Sequence, residues 1–147
     1  MPALKKHPHI DVLDLSGAGS ELTDLTGIEY LFELRELNIN RTAVTDLSPL
    51  SSLRELRILH IQDTPVSDLT SLSSIRRLRV LDLSGTAVKD LSPLSSLSLA
   101  SLSVSWTYVS DISPLSSMKS LRTVYLYSSK VTNTGALAPA RPTVYGP

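Results

Sequence analysis

The chain has 147 residues, 14 basic and 14 acidic side chains and no cysteine. That length suits one domain, a net charge of zero gives neither nucleic acid nor an anionic membrane a reason to bind, and the lack of cysteine excludes disulfide staples, zinc–thiolate clusters and a thiol nucleophile. No stretch approaches the roughly 20 apolar residues of a membrane span, and the opening MPALKKHPHI sets two histidines and two prolines where a signal peptide needs an apolar run, so a cytoplasmic location is expected.

In chain order, Leu4, His7 and Ile10 match Ile28, Leu31 and Leu34 of the following segment, so the array is expected to open in mid-repeat. His7, His9 and Asp11 could touch a metal, but three ligands on a terminus read as incidental and no metal or cofactor is expected. From Leu34 to Leu53 runs the frame L-x-x-L-x-L-x-x-T-x-V-x-D-L-S-P-L-S-S-L, with its threonine recurring every 22 residues at Thr42, Thr64 and Thr86. The alternation at Leu37 and Ile39 is the period of a strand with one buried face. Leu47, Leu50, Leu53, Leu56 and Leu59 then recur every third residue, the period of 3₁₀ turns. Ser48-Pro49, Ser92-Pro93 and Ser113-Pro114 predict a serine N-cap followed by proline in the first turn.

Aligning the strands gives about six coils, centred on Leu13/Leu15, Leu37/Ile39, Leu59/Ile61, Leu81/Leu83, Leu102/Val104 and Val124/Leu126. Coils that cannot bury their own apolar face must stack, so the expected fold is an α/β solenoid: a parallel concave β-sheet, with short 3₁₀ or helical turns on the convex side. The solenoid is expected over residues 1–133. Asn133-Thr134-Gly135 breaks the frame, and 134–147 reads as a Pro-rich C-terminal tail. Neither end shows a cap helix, which leaves end-to-end self-association open.

These columns resemble leucine-rich repeat proteins of the 22-residue class, such as internalins and the leucine-rich regulatory subunits of protein phosphatase 1. The resemblance covers most of residues 10–133. It implies a scaffold that binds a partner protein through its concave face. Where the family commonly carries asparagine, this chain has Thr42, Thr64, Thr86, Thr107 and Ser129, whose hydroxyls are expected to bond stacked backbone groups.

Two variable regions are candidates for partner binding. Trp106, Tyr108, Tyr125 and Tyr127 are four of the seven aromatic residues and fall at the C-terminal end of the concave columns, which also carry His60 and Asp82. Such a cluster reads either as an interface anchor or as a cover for the last coil. One step before the strands, Arg57, Arg79 and Arg122 form a basic edge. It reads either as a site for an acidic or phosphorylated partner or as a solvated edge relieved by Glu33, Glu36 and Glu55. The aspartates Asp24, Asp46, Asp68, Asp90 and Asp111 are expected to accept backbone donors in the turns rather than hold calcium.

Catalysis is not expected. His60, Asp82 and Ser103 follow one another, but the aspartate lies between base and nucleophile. Ser116 to Lys119 matches a short serine–lysine motif only because serine is abundant, and Gly17-Ala-Gly19 lacks the third glycine and helix of a dinucleotide loop. The expected function is a non-catalytic protein-interaction scaffold; the alternatives are a spacer within a longer array or a regulatory subunit of a phosphatase-like enzyme.

Overall fold

The computed structural model describes residues 9–146; Leu4 and His7 of the expected opening half-repeat lie outside them. Seven short strands, β1 (Val12–Asp14), β2 (Glu36–Asn38), β3 (Ile58–His60), β4 (Val80–Asp82), β5 (Ser101–Ser103), β6 (Thr123–Tyr125) and β7 (Thr143–Tyr145), form one parallel sheet in chain order. Leu13, Leu37, Leu59, Leu81, Leu102 and Val124 stand side by side, the register that the repeat predicts, and Val144 extends the row.

The seventh strand corrects the reading of 134–147 as a tail. Asn133 Oδ1 accepts a hydrogen bond from the Gly135 backbone N–H at 2.8 Å, as Asp111 Oδ1 accepts one from Ser113. The apparent break in the frame is therefore the same turn built with asparagine. A 3₁₀ turn at Gly135–Leu137 follows, Leu137 enters the core, and the chain returns to pair with β6. Gly146 closes this coil at φ +79°, where an added Cβ would lie 2.8 Å from the Tyr127 nitrogen. Gly146→Ala is expected to displace β7, speeding amide exchange at Leu126, whose N–H donates to the Tyr145 carbonyl. It should lower Tm by roughly 3 to 6 °C.

The turns correct a second expectation. Each Ser-Pro-Leu segment is a 3₁₀ turn, at Ser48–Leu50, Ser92–Leu94 and Ser113–Leu115, but the serine is its first residue and makes no side-chain cap. The preceding aspartate does that work: Asp46 Oδ1 accepts the Ser48 N–H at 2.8 Å, while Oδ2 accepts from the Ser48 hydroxyl at 2.8 Å. A carboxylate two residues upstream can reach back-to-back donors that a serine at the turn itself cannot.

Packing follows from the columns. Coil three alone buries Leu56, Leu59, Ile61, Val66, Leu69, Leu72 and Ile75 almost completely, each worth roughly 1.5 to 3 kcal/mol. The threonines bond differently from expectation. Thr42, Thr64, Thr86 and Thr107 are buried and donate to the carbonyls of Ile39, Ile61, Leu83 and Val104 in their own coils, at 2.6–2.8 Å. The links between coils here are backbone bonds instead, such as Ala87 N–H to the Val66 carbonyl at 2.9 Å. No helix among the described residues is long and apolar enough to cross a membrane.

Candidate partner-binding surface

Just past each strand the chain must turn while keeping its ladder to the next coil. Arg41, Asp63, Gly85, Trp106 and Ser128 occupy that position, all with positive φ between 50° and 70°. The left-handed turn aims the N–H of Arg41, Asp63, Gly85 and Trp106 at a carbonyl one coil on, at 2.7–2.9 Å. Glycine adopts this conformation freely, whereas a residue with a Cβ pays about 1–2 kcal/mol. Trp106, at φ +52°, is the bulkiest residue so placed. The turn holds its indole out, 61% exposed, between two hollows.

The concave hollow, about 460 Å³, is lined by His60, Asp82, Trp106, Tyr125 and Tyr127 together with Ser101 and Ser103 of β5 and with Ser84 and Ser105, which follow β4 and β5. It brings five of the sequence-predicted residues together. Trp106 stacks on Tyr127, ring centres 6.3 Å apart, and Tyr127 remains 43% exposed. Tyr125 stacks at 4.9 Å on Tyr145. Tyr145 was missed by sequence reasoning, although Thr143-Val-Tyr repeats Thr123-Val-Tyr. It also alters the reading of Tyr125 and Tyr127 as a cover for the last coil, because β7 and Tyr145 lie beyond them.

Tyr108 faces the second hollow, about 450 Å³, on the loop side of Trp106. The ammonium groups of Lys89 and Lys130 each sit 5.7 Å from its ring centre; neither lysine was singled out by the sequence. Arg57, Arg79 and Arg122 line neither hollow. Arg79 donates to the carbonyls of Arg76 and Leu78, and Arg122 to those of Lys119 and Leu121, so these two guanidinium groups partly serve their own coils.

The groups of the rejected catalytic triad sit in register on β3, β4 and β5. Asp82 Oδ1 accepts from the Ser84 N–H at 2.9 Å and from the Ser84 hydroxyl at 2.5 Å, and the Ser84 and Ser103 hydroxyls lie 2.7 Å apart. The carboxylate thus orients a serine pair, not the imidazole.

The acidic column is engaged in the turns. Hydroxyls of Thr26 and Thr70, and then their backbone N–H groups, hold Asp24 and Asp68 below the usual carboxylate range. The backbone N–H groups of Ser92 and Ser113, and then the serine hydroxyls, do the same for Asp90 and Asp111. Since these folded-state values are depressed, the stabilisation is present above the unfolded carboxylate pKa and is lost as pH falls through the folded values. The fourfold variant Asp24→Asn, Asp68→Asn, Asp90→Asn, Asp111→Asn keeps the acceptor, as Asn133 does naturally, but cannot titrate. Its Tm is expected to fall less than the parent's below about pH 4, read by thermal melts across that range.

A family description of leucine-rich repeats, in two copies, matches residues 33–74. Solved structures similar to the chain include an internalin (inlF) of Listeria monocytogenes, at 33% identity and TM-score 0.86 over 93% of this chain and 42% of that one. Another is the internalin inlC2 of the same organism, at 26% identity and TM-score 0.81 over 94% and 69%. A leucine-rich repeat protein of Leptospira interrogans, at 17% identity and TM-score 0.70 over 84% and 34%, shares the fold. This chain thus spans less than half the length of the inlF structure. No curated protein matches it in sequence.

Proposed function

This chain is a leucine-rich repeat protein of the internalin-like type, and from that premise we propose that it is a non-catalytic interaction module gripping a partner protein at the C-terminal end of its concave face. Proteins of this architecture typically offer an extended concave surface for binding other proteins. The observation that carries the assignment is Trp106, held exposed on a left-handed turn and stacked with Tyr127 at the mouth of the concave hollow. Large aromatic side chains bury much area at small conformational cost, which makes them frequent anchors of interfaces. Tyr125 and Tyr145 continue the aromatic surface, with His60 and Asp82 as its polar rim. Arg57, Arg79 and Arg122 form an outlying basic edge that would contact only a broad partner.

A solenoid whose core closes without disulfides suits the cytoplasm, and that is the compartment proposed. Recovery of the native protein from the cell surface or the medium would reverse that placement. The binding assignment is tested by affinity capture with the parent and with Trp106→Ala, each checked by thermal melting. A protein retained by the parent and lost by an equally folded variant supports the reading. Capture that ignores the substitution overturns it, and no capture by either leaves the spacer reading in its place.

A further inference from the structure

One strand sets the floor of the concave hollow. Along β5 and its exit the residues lining this face are serines, Ser101, Ser103 and Ser105, and the register places Asp82 on one side of Ser103 and Tyr125 on the other. Two strand spacings, roughly 9 to 10 Å, therefore separate the backbones of aspartate and tyrosine, with only a hydroxymethyl group between them. The result is a trough. Asp82 is its one carboxylate, and no lysine or arginine lines it. The Ser84 N–H and hydroxyl take up Asp82 Oδ1, whereas Oδ2 accepts no hydrogen bond from a described residue. Nor is Asp82 in an ion pair among the described residues, although His60 stands next to it in register. Tyr125 and Tyr127 belong to the far side of β5, and Trp106, which follows Ser105, stacks on Tyr127. A half-buried carboxylate without a counter-ion and a set of exposed aromatic faces each attract a cation, more strongly where water is partly excluded.

We propose that this trough receives an arginine side chain of a protein partner, its guanidinium laid over the β5 serines, paired with Asp82 and resting against the Trp106–Tyr127 aromatic wall. This deepens the interaction-module reading and rests on it. Arginine suits the trough better than lysine, because a planar, weakly hydrated guanidinium donates from its edge to a carboxylate while its face lies on a ring. An acidic side chain would be repelled by Asp82, and an apolar one would cover the carboxylate without pairing it, at a desolvation cost. The serines of β5 thus provide the depth, Asp82 the sign of the charge and the aromatic wall the preference for a flat group.

Trp106 is the chain's one tryptophan, so its fluorescence supplies the readout. The probes are acetyl-Ala-Arg-Ala-amide, its lysine and citrulline counterparts, and methyl glucoside as an uncharged partner for aromatic rings. Each is titrated into the full chain, into Asp82→Asn, which keeps an acceptor for Ser84 and removes only the charge, and into Asp63→Asn. Asp63 lines neither hollow and controls for the change in net charge. The arginine peptide is expected to give a saturable response, about fivefold weaker for the citrulline peptide and for Asp82→Asn, and unchanged in Asp63→Asn. The lysine peptide should bind less tightly than the arginine peptide. Ser103→Tyr fills the trough while keeping Asp82, with a residue that the same column already carries at Tyr125 and Tyr145, and should lose the response. Equal responses to the arginine and citrulline peptides overturn the proposal. So does an undiminished response in Asp82→Asn, tighter binding of the lysine peptide or the glucoside than of the arginine peptide, or no response at concentrations on the order of 10 mM. Partner capture that depends on Trp106 without any arginine response would overturn this occupant and leave the interaction module standing.

Discussion

Leu59→Asp is expected to abolish cooperative unfolding of the whole array. Leu59 is fully buried at the centre of β3, paired with Leu37 on one side and Leu81 on the other. The substitution removes burial worth roughly 1.5 to 3 kcal/mol and forces in a carboxylate whose uncompensated burial costs several kcal/mol more. The sum rivals the roughly 5–15 kcal/mol that holds a domain of this kind together. Position magnifies the effect, because coils stabilise only their neighbours and a failed central coil disconnects both halves. Far-UV circular dichroism should show no cooperative melt, and a transition near the parent temperature would mean the register is wrong. Val144→Asp makes the contrast: the side chain is 37% exposed in the last described coil, and its effect should be confined to fraying there.

The largest effect on binding is expected at Trp106. As a central aromatic anchor, its loss should weaken a partner's affinity about 30-fold, measured by titration calorimetry with the captured protein. Stability should separate from affinity in a particular way. Trp106→Ala gives up the Tyr127 stack, worth about 0.5–1.5 kcal/mol, but keeps a Cβ on a left-handed backbone. Trp106→Gly gives up the same stack and relieves the conformation, so its Tm is expected at or above that of the alanine variant. A lower Tm for the glycine variant would remove the strain argument, and unchanged affinity in both would remove the anchor. A left-handed tryptophan that costs stability and contacts solvent is the kind of local inconsistency that functional sites carry.

Much of the fold could be read from spacing. The Leu37-x-Ile39 alternation and the threefold spacing from Leu47 to Leu59 are consequences of strand and 3₁₀ geometry, so the register and the turns emerge from any three coils. The seventh coil escaped because Asn133-Thr134-Gly135 shares no residue with Asp-Leu-Ser, although asparagine offers the same acceptor oxygen as aspartate. The serine caps were misassigned for a related reason: the residue before proline looks like a cap, yet the carboxylate two residues earlier is better placed to accept.

The candidate surface was legible as a list of aromatics and illegible as a place. Columns of outward residues put Trp106, Tyr125 and Tyr127 near one another, since residues one coil apart are neighbours in any stacked array. They could not show that Tyr108 turns to the other side of Trp106, that Lys89 reaches diagonally across a coil to its ring, or that Arg79 and Arg122 fold back on their own carbonyls. Those outcomes depend on backbone φ after the strand and on side-chain packing between coils, which a repeat consensus averages away.

The 22-residue frame therefore dictated the solenoid, because its constant positions face the core and have one way to be buried. The partition of the variable positions into a concave aromatic hollow, a second hollow on the loop side of Trp106 and a self-bonded arginine edge arose in three dimensions. It was settled by the left-handed turn after each strand, which sets Trp106 between the two hollows, and by the side chains that neighbouring coils place beside it.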